Sequence, residues 1–232
     1  MAPMSIMDVG FLGSAGGVVG CIADFSDDFT TDNWVDADSA RIGVNLTTNV
    51  LDYDLQRDGT NDKCHFDLGA GNVSDTLWTL RFKLRFTTFT ENVTPKYGFF
   101  GISSITGGTN TVQDFIGFWA RAVTGTNEHI KTIWADGEKL DNANGTKPAF
   151  ELSTGTDYFV EIVRLTATTF KMNWFLNSNF TNPAFTEINE TGLESTVVSL
   201  QFIQVANLEL TGGGGTNIGI MDDVNFYNGC KF

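Results

Sequence analysis

The sequence is poor in basic residues and has no long apolar run. It holds 14 Lys and Arg against 28 Asp and Glu, which gives a formal net charge of −14. So acidic a chain argues against nucleic acid as a partner, because phosphates require a basic surface. It also argues against binding to an anionic membrane. Since no run of about 18 apolar residues occurs, the sequence predicts no membrane insertion.

Cysteine is scarce, with Cys21, Cys64 and Cys230 as the three copies. The odd count gives no disulfide framework, and no C-x-x-C spacing points to zinc. Cys21 and Cys230 lie just outside the first and last predicted strands. A sandwich whose end strands pair would bring them within disulfide reach. The alternative is three reduced, buried thiols, and Cys64 is predicted to be a packed thiol in either case.

The opening stretch MAPMSIMDVGFLGSAGGVVG is small and apolar. It has no Lys or Arg before its apolar part, and Asp8 interrupts it, so a secretion signal is disfavoured. We interpret residues 1–18 as a Gly-rich arm that either lies against another copy or a neighbouring coat protein, or is disordered. Residues 19–232 are predicted to form a single domain.

Helical periodicity is nearly absent, and short alternating runs separated by turn residues take its place. In LWTLRFKLRF one face carries the apolar residues Trp78, Leu80, Phe82, Leu84 and Phe86. About a dozen such runs predict an all-β fold, a two-sheet antiparallel β-sandwich or jelly roll. With 41% hydrophobic and 12% aromatic residues, the chain can fill one large core.

The last run, IGIMDDVNFYNG, carries a carboxylate where alternation predicts a buried side chain. Asp222 shares a face with Ile218, Ile220, Val224 and Phe226. A carboxylate in apolar surroundings must be paired, hydrogen-bonded or metal-bound, because burying it bare costs several kcal/mol. We therefore expect Asp222 to hold the two ends of the chain together.

Three stretches resemble concanavalin A-like, laminin-G-like jelly-roll domains. They are DFSDDFTTDNW near the start, TDYFVEIVRLTATTFKMNWF in the middle and IGIMDDVNFYNG at the end. The resemblance implies the architecture far more than an activity, since many functions share this fold. It also implies a structural Ca²⁺ that joins the first strand to the last, with Asp222 and either Asp27 or Asp28 as ligands. The metal-free alternative is that Asp222 accepts backbone N–H bonds from the loop around Trp34.

Two groups of residues are candidates for binding. Trp119, Arg121 and Trp134 would form a sugar platform if their strands are neighbours on the concave sheet; the alternative is that both tryptophans are core residues. Arg81, Lys83 and Arg85 form a basic stripe, which either meets a partner or pairs with acidic residues on adjacent strands.

Six asparagines begin an N-x-Ser/Thr sequon without proline. They are Asn45, Asn72, Asn92, Asn144, Asn179 and Asn189. Catalytic patterns are missing: the nearest paired carboxylates are Asp52 and Asp54, which lack the Glu partner that a jelly-roll glycosidase requires. The sequence thus predicts no catalytic residue and no cofactor beyond the Ca²⁺ that the resemblance implies.

Three functions follow from this sequence. The first is a non-catalytic structural protein on a particle exterior, as a virion decoration, capsid-associated or tail protein. The polar Thr, Asn and Gly composition suits an exterior location, and the arm suits docking. The second is a secreted glycan-binding adhesin or carbohydrate-binding module, and the two overlap where a virion protein binds glycans. A secreted glycoside hydrolase or lyase is the third. Each places the chain on a virion surface or outside the cell.

Overall fold

The computed structural model describes residues 21–37, 40–56, 59–107, 111–121, 123–126, 128–139, 145–147, 149–184, 188–207 and 212–232. These residues form fourteen strands in two antiparallel sheets and no helix. The prediction of an all-β two-sheet sandwich is confirmed. No helix in this part of the chain is long and apolar enough to cross a membrane. The predicted arm, residues 1–18, and the predicted domain start at residue 19 lie outside the described residues.

One sheet contains eight strands. Its order is β12-β11-β10-β6-β14-β4-β3, with β1 also paired to β14. The strands are β1 (Phe25–Asp27), β3 (Ile42–Asn45), β4 (Val50–Asp54), β6 (Trp78–Thr90), β10 (Asp157–Thr166), β11 (Thr169–Phe175), β12 (Ile188–Glu190) and β14 (Thr216–Asn228).

The other sheet contains six strands in the order β2-β5-β13-β7-β8-β9. The strands are β2 (Val35–Asp36), β5 (Lys63–Asp67), β7 (Tyr97–Ser103), β8 (Val112–Arg121), β9 (Ile130–Lys139) and β13 (Phe202–Asn207). The main core fills the space between the two sheets. It includes every apolar residue that the alternation in β6 assigned to the buried face.

A second, smaller apolar cluster lies on the outer face of the six-stranded sheet. It consists of Phe99, Phe115, Trp119, Ile133, Ala135 and Ala206, with Tyr97 packed against it. Gly101 and Gly117 are paired across β7 and β8 beneath the Phe99 ring. A Cβ at Gly117 would lie 2.3 Å from the Phe100 carbonyl oxygen and 2.8 Å from Phe99 Cε2, so glycine is required there.

The two ends of the described chain lie side by side. β1 pairs antiparallel with the end of β14, with Phe25 opposite Phe226. Cys21 and Cys230 form a disulfide with their Cα atoms 6.1 Å apart. In the chain-entropy model, closing so long a loop stabilises the fold by roughly 5 kcal/mol. Cys64 is a free, buried thiol, and burial raises its pKa well above the ordinary value.

The predicted orientation of Asp222 is wrong, and a β-bulge is the reason. Between Asp222 and Asn225, β14 has one residue more than β6 opposite it, and Asp223 in this bulge has φ +51°. The extra residue reverses the alternation. Met221 before the bulge and Val224 after it therefore both face the core, while Asp222 points to the outer face.

Candidate functional site

A pocket of about 500 Å³ opens at the end of the sandwich, where β1 and β14 meet the end of β5. We call it the seam pocket. Its lining has an apolar part, formed by Phe25, Phe66, Leu68 and Phe226, and a polar part, formed by Asp24, Asp67, Gly71, Asn72 and Asn228.

The apolar floor is built on an aromatic pair that joins the two sheets. The Phe25 ring of β1 stacks on the Phe66 ring of β5, with centroids 4.0 Å apart and 25° between the planes. The Trp34 ring is tilted by 53° to the Phe66 ring, with the two centroids 5.9 Å apart. Phe25 and Phe66 are both half-buried, so part of this aromatic surface is open to a ligand.

The rim on the β14 side is fixed by the chain ends. Asp24 Oδ2 accepts the backbone N–H of Asn228 at 2.6 Å, and Asn228 Oδ1 accepts the N–H of Ser74 at 2.7 Å. These bonds tie β1, β14 and the loop after β5 into one unit. The rim is therefore held in place without any ligand.

The rim on the β5 side is a tight loop. Asp67 Oδ1 accepts the N–H of Gly69 and the side-chain amide of Gln201, both at 2.7 Å. Asn72 Nδ2 donates to the Leu68 carbonyl at 2.8 Å. Gly69 has φ +89°, and a Cβ there would lie 2.6 Å from Asn72 Nδ2. Glycine is needed at this position for both reasons.

The four polar side chains of the rim, those of Asp24, Asp67, Asn72 and Asn228, each have one polar atom that can contact a ligand. Asp24 Oδ1, Asp67 Oδ2, Asn72 Oδ1 and Asn228 Nδ2 make no hydrogen bond to any residue in the described part of the chain. Three are acceptors and one is a donor. Together with an open aromatic floor, they suit a polyhydroxylated ring that has one apolar face.

The predicted sugar platform does not form, because its two tryptophans lie on opposite faces of the six-stranded sheet. Trp134 is 7% exposed and belongs to the main core between the sheets. Trp119 is 6% exposed and belongs to the outer cluster, where Tyr97 packs on it at 5.4 Å. Arg121 lies on the same face as Trp119, is nearly buried, and pairs with Glu128 at 3.3 Å.

The carboxylates expected to bind Ca²⁺ have other partners. Both oxygens of Asp27 are engaged, one by the N–H of Phe29 at 2.7 Å and the other by the Trp34 indole N–H at 3.0 Å. Asp222 Oδ2 lies 2.5 Å from Lys83 Nζ. Asp28 is exposed, and hydrogen bonds from Thr30 lower its pKa. The acid that fixes the loop around Trp34 is thus Asp27, where Asp222 was expected.

These residues do not fit a calcium ion. A pocket of about 260 Å³ does bring Asp27 and Asp28 together with Asp223. Burial, followed by the charge of Asp222, raises the pKa of Asp223. Within the described ranges, however, no group of three or more His, Cys, Asp or Glu side chains is arranged to hold a metal. Asp222 does not line this pocket.

The basic stripe is paired with acids on neighbouring strands, one of the two alternatives that the sequence left open. Arg81 binds Glu161 of β10 through Nε at 2.8 Å and Nη2 at 2.5 Å. Arg85 Nε lies 2.6 Å from Asp157 of β10, and Lys83 pairs with Asp222 of β14. This ladder of ion pairs joins β6 to β10 and β14 on the outer face of the eight-stranded sheet.

The sequons differ in what their side chains contact. Asn45 donates to Asp52 at 2.7 Å, Asn72 lines the seam pocket, and Asn92 accepts the N–H of Thr94 at 3.0 Å. Asn179 is exposed. Asn144 and the side chain of Asn189 lie outside the described residues.

Sequence reasoning missed the seam pocket. The pattern of KCHFDLG indicates a strand and that of LGAGNVSD indicates a turn, but neither pattern by itself connects these stretches to the chain ends. One signal could have placed Asp67 beside Asp24. The end strands are predicted to pair, and the Asp-Leu-Gly turn at Asp67 follows a predicted strand. The ring partners of Phe66 cannot be read from spacing, because Phe25 and Trp34 lie about 40 and about 30 residues away along the chain.

No protein-family model and no curated protein matches the chain, whereas solved structures do. Arcelin-5, a lectin-like defense protein from Phaseolus vulgaris, has a TM-score of 0.58 at 9% identity and covers 87% of this chain and 96% of its own. The CBM2 module of the evolved Dit of Lactobacillus casei BL23 phage J-1 has a TM-score of 0.53 at 7% identity, with coverages of 90% and 97%.

A glycosyl hydrolase family 16 protein from Mycobacterium smegmatis has a TM-score of 0.52 at 11% identity, with coverages of 89% and 100%. Identities this low show the fold alone. Two antiparallel sheets, paired end strands and these three likenesses lead to one conclusion: the protein has a concanavalin A-like jelly-roll fold, which it shares with all three of these proteins.

Proposed function

We propose that the protein is a non-catalytic glycan-binding protein and that the seam pocket is its binding site. The observation that carries this proposal is the half-buried Phe25–Phe66 stack, flanked by carboxylate and amide atoms that have no protein partner in the described part of the chain. A sugar ring presents an apolar face to such a floor and hydroxyl groups to such a rim.

The rigidity of the rim supports the same proposal. Hydrogen bonds among Asp24, Asn228, Asp67 and the loop after β5 fix the polar atoms in advance. A preformed site avoids the cost of ordering side chains when a ligand binds. The lectin-like and carbohydrate-binding neighbours share the fold that carries this pocket.

We propose binding without hydrolysis, although one neighbour is a glycosyl hydrolase. A glycosidase places two carboxylates around the scissile bond and keeps one protonated, usually by desolvation. Asp24 and Asp67 are both exposed to solvent. The carboxylates of Asp52 and Asp54 are engaged by Asn45 and Arg41 at the edge of the eight-stranded sheet.

A second proposal concerns location: the protein is carried on the exterior of a particle, as a virion decoration, capsid-associated or tail protein, or is otherwise extracellular. The specific observation is the likeness to a module of a phage protein over 90% of this chain. Docking to a coat protein or to other copies through residues 1–18 belongs to this proposal. Mass spectrometry of purified particles tests it: stoichiometric recovery supports it, and absence from the particles contradicts it.

A glycan array tests the binding proposal. The wild type is compared with Phe66→Leu, which removes the aromatic stack but keeps an apolar side chain, and with Trp119→Phe as a control in the outer cluster. Binding that is lost in Phe66→Leu and kept in Trp119→Phe supports the seam pocket. If binding is lost only in Trp119→Phe, the binding site lies at the outer cluster and the seam-pocket proposal is wrong. Release of reducing sugar from a bound glycan would show that the protein is catalytic.

A further inference from the structure

We infer that the ligand of the seam pocket carries a cationic group, so that the pocket selects amino glycans with free amines over neutral and anionic glycans. This inference rests on the proposed function and deepens it. It follows from two features of the pocket, the charges of its rim and the aromatic surface of its floor.

The rim carries two carboxylates that form no ion pair with any residue of the described chain. Asp24 and Asp67 are the charged residues of the lining, and neither makes an ion pair within the described ranges. Their hydrogen-bond donors are neutral: two backbone amides and the Gln201 side chain. These two carboxylates differ from the acids on the outer face of the eight-stranded sheet, because each acid of that ladder has a basic partner.

The aromatic floor favours the same ligand charge. A cation is attracted to the face of an aromatic ring, and aromatic cages bind ammonium ligands in this way. Phe25 and Phe66 are half-buried and line the same pocket as the two carboxylates. The hydroxyl-bearing ring of an amino sugar would use Asn72 and Asn228, while its amine would lie among Asp24, Asp67 and the rings.

The pocket disfavours acidic sugars for the same reason. A uronic or sialic acid would bring a third carboxylate beside two others, and like charges at close range repel each other. The formal net charge of −14 adds long-range repulsion of polyanions. Selection by charge therefore works by attraction of amines and by rejection of acids.

Three tetrasaccharides that differ at one position test the inference: the β-1,4 oligomers of glucosamine, of N-acetylglucosamine and of glucose. They carry an ammonium, an acetamide and a hydroxyl group at carbon 2. Isothermal titration calorimetry at a pH below the pKa of the sugar amine is expected to give roughly fivefold tighter binding of the glucosamine oligomer. Added salt and a pH above the amine pKa should both remove the advantage.

Two variants locate the effect. Asp24→Asn and Asp67→Asn keep the acceptor oxygen that each loop requires, and each should reduce the advantage of the glucosamine oligomer. Asp28→Asn, which removes an exposed carboxylate outside the seam pocket, should leave it unchanged. If the glucosamine oligomer had the same advantage in the wild type and in all three variants, the inference would be overturned.

The two proposals fail in different ways. If all three oligomers bind equally well and Phe66→Leu abolishes binding, glycan binding at the pocket stands and the charge selection is wrong. If neither these oligomers nor any glycan on the array binds, the proposed function itself is wrong.

Discussion

Phe25 and Phe66 stack across the junction of the two sheets, with ring centroids 4.0 Å apart. Phe25 belongs to the first strand of the eight-stranded sheet and Phe66 to β5 of the six-stranded sheet. The contact therefore does two things: it closes the end of the sandwich where the chain termini meet, and it forms the floor of the seam pocket.

Replacing one ring should weaken the junction locally. Phe66→Leu is expected to lower the free energy of unfolding by about 1 kcal/mol, because an aromatic pair contributes about that much beyond its buried area. It should also speed hydrogen exchange at the Asp24 amide, which donates to the Phe226 carbonyl at 2.9 Å. Trp119→Phe should leave exchange at Asp24 unchanged. Equal exchange rates in Phe66→Leu and wild type would show that the stack does not hold β1.

The disulfide should stabilise the fold strongly. The free energy of unfolding of the double variant Cys21→Ser/Cys230→Ser is expected to be about 2–5 kcal/mol lower than that of the oxidised wild type. Reductant should have a similar effect on the wild type and none on the double variant, which serves as the control. Chemical denaturation measures both. If reduction left the wild-type midpoint unmoved, the Cys21–Cys230 bond would not contribute to stability.

Ion pairs in this protein should differ in strength according to burial. Arg81 and Glu161 are 14% and 4% exposed, whereas Arg41 and Asp54 are 37% and 33% exposed. Glu161→Gln leaves the Arg81 charge without its partner and is expected to cost about 3 kcal/mol. Arg41→Met should cost less than about 1 kcal/mol. Denaturant titrations with unchanged slopes measure the two costs. Equal costs would contradict the expectation that the buried ion pair contributes more than the exposed one.

Stability should fall as the pH is lowered past the ordinary pKa of histidine, in part because of His65. Burial, followed by the nearby charge of Lys63, lowers the His65 pKa in the folded state, and Asp67 opposes the shift. Its buried Nδ1 has no hydrogen-bond partner among the described residues. The unfolded chain therefore binds the proton more readily, and stability is lost below about pH 6.5.

His65→Gln tests this directly. The difference in unfolding free energy between wild type and variant should change between pH 8 and pH 5, as wild type loses stability that the variant keeps. Carboxylates titrate in both proteins and cancel in the comparison. A difference that stays constant over this range would mean that His65 titrates alike in the folded and unfolded states.

Calcium should have no effect on stability. The two oxygens of Asp27 are used by Phe29 and Trp34, and Asp222 is neutralised by Lys83. Melting midpoints with chelator and with added Ca²⁺ are expected to agree. A ligand that binds the folded state raises the midpoint, so a clear increase with Ca²⁺ would reveal a site that these carboxylates do not explain.

Strand alternation predicted the fold but not every side-chain direction. In β6 it assigned the whole buried face, because the strand is long and regular. In β14 it failed at Ile218, Ile220 and Asp222, which are only partly buried, and held at Val224 and Phe226, because a bulge after Asp222 inserts one residue and reverses the faces. The pairing of the two end strands was predicted and is confirmed.

The candidate site was beyond sequence reasoning for a different reason. Trp119 and Trp134 looked equivalent, yet the register of β8 against β9 places Trp119 opposite Lys131 and Trp134 opposite Ile116. Register between strands depends on the loops and the core together. The seam pocket likewise depends on tertiary contacts among three distant segments.

Glycan binding at the seam pocket is tested best by mapping amide chemical-shift changes while a glycan that binds on the array is titrated into the protein. We expect the changes to be concentrated at Phe25, Phe66, Asn72 and Asn228, around the seam pocket. Changes centred on Trp119 and Arg121, with none at the seam, would contradict it.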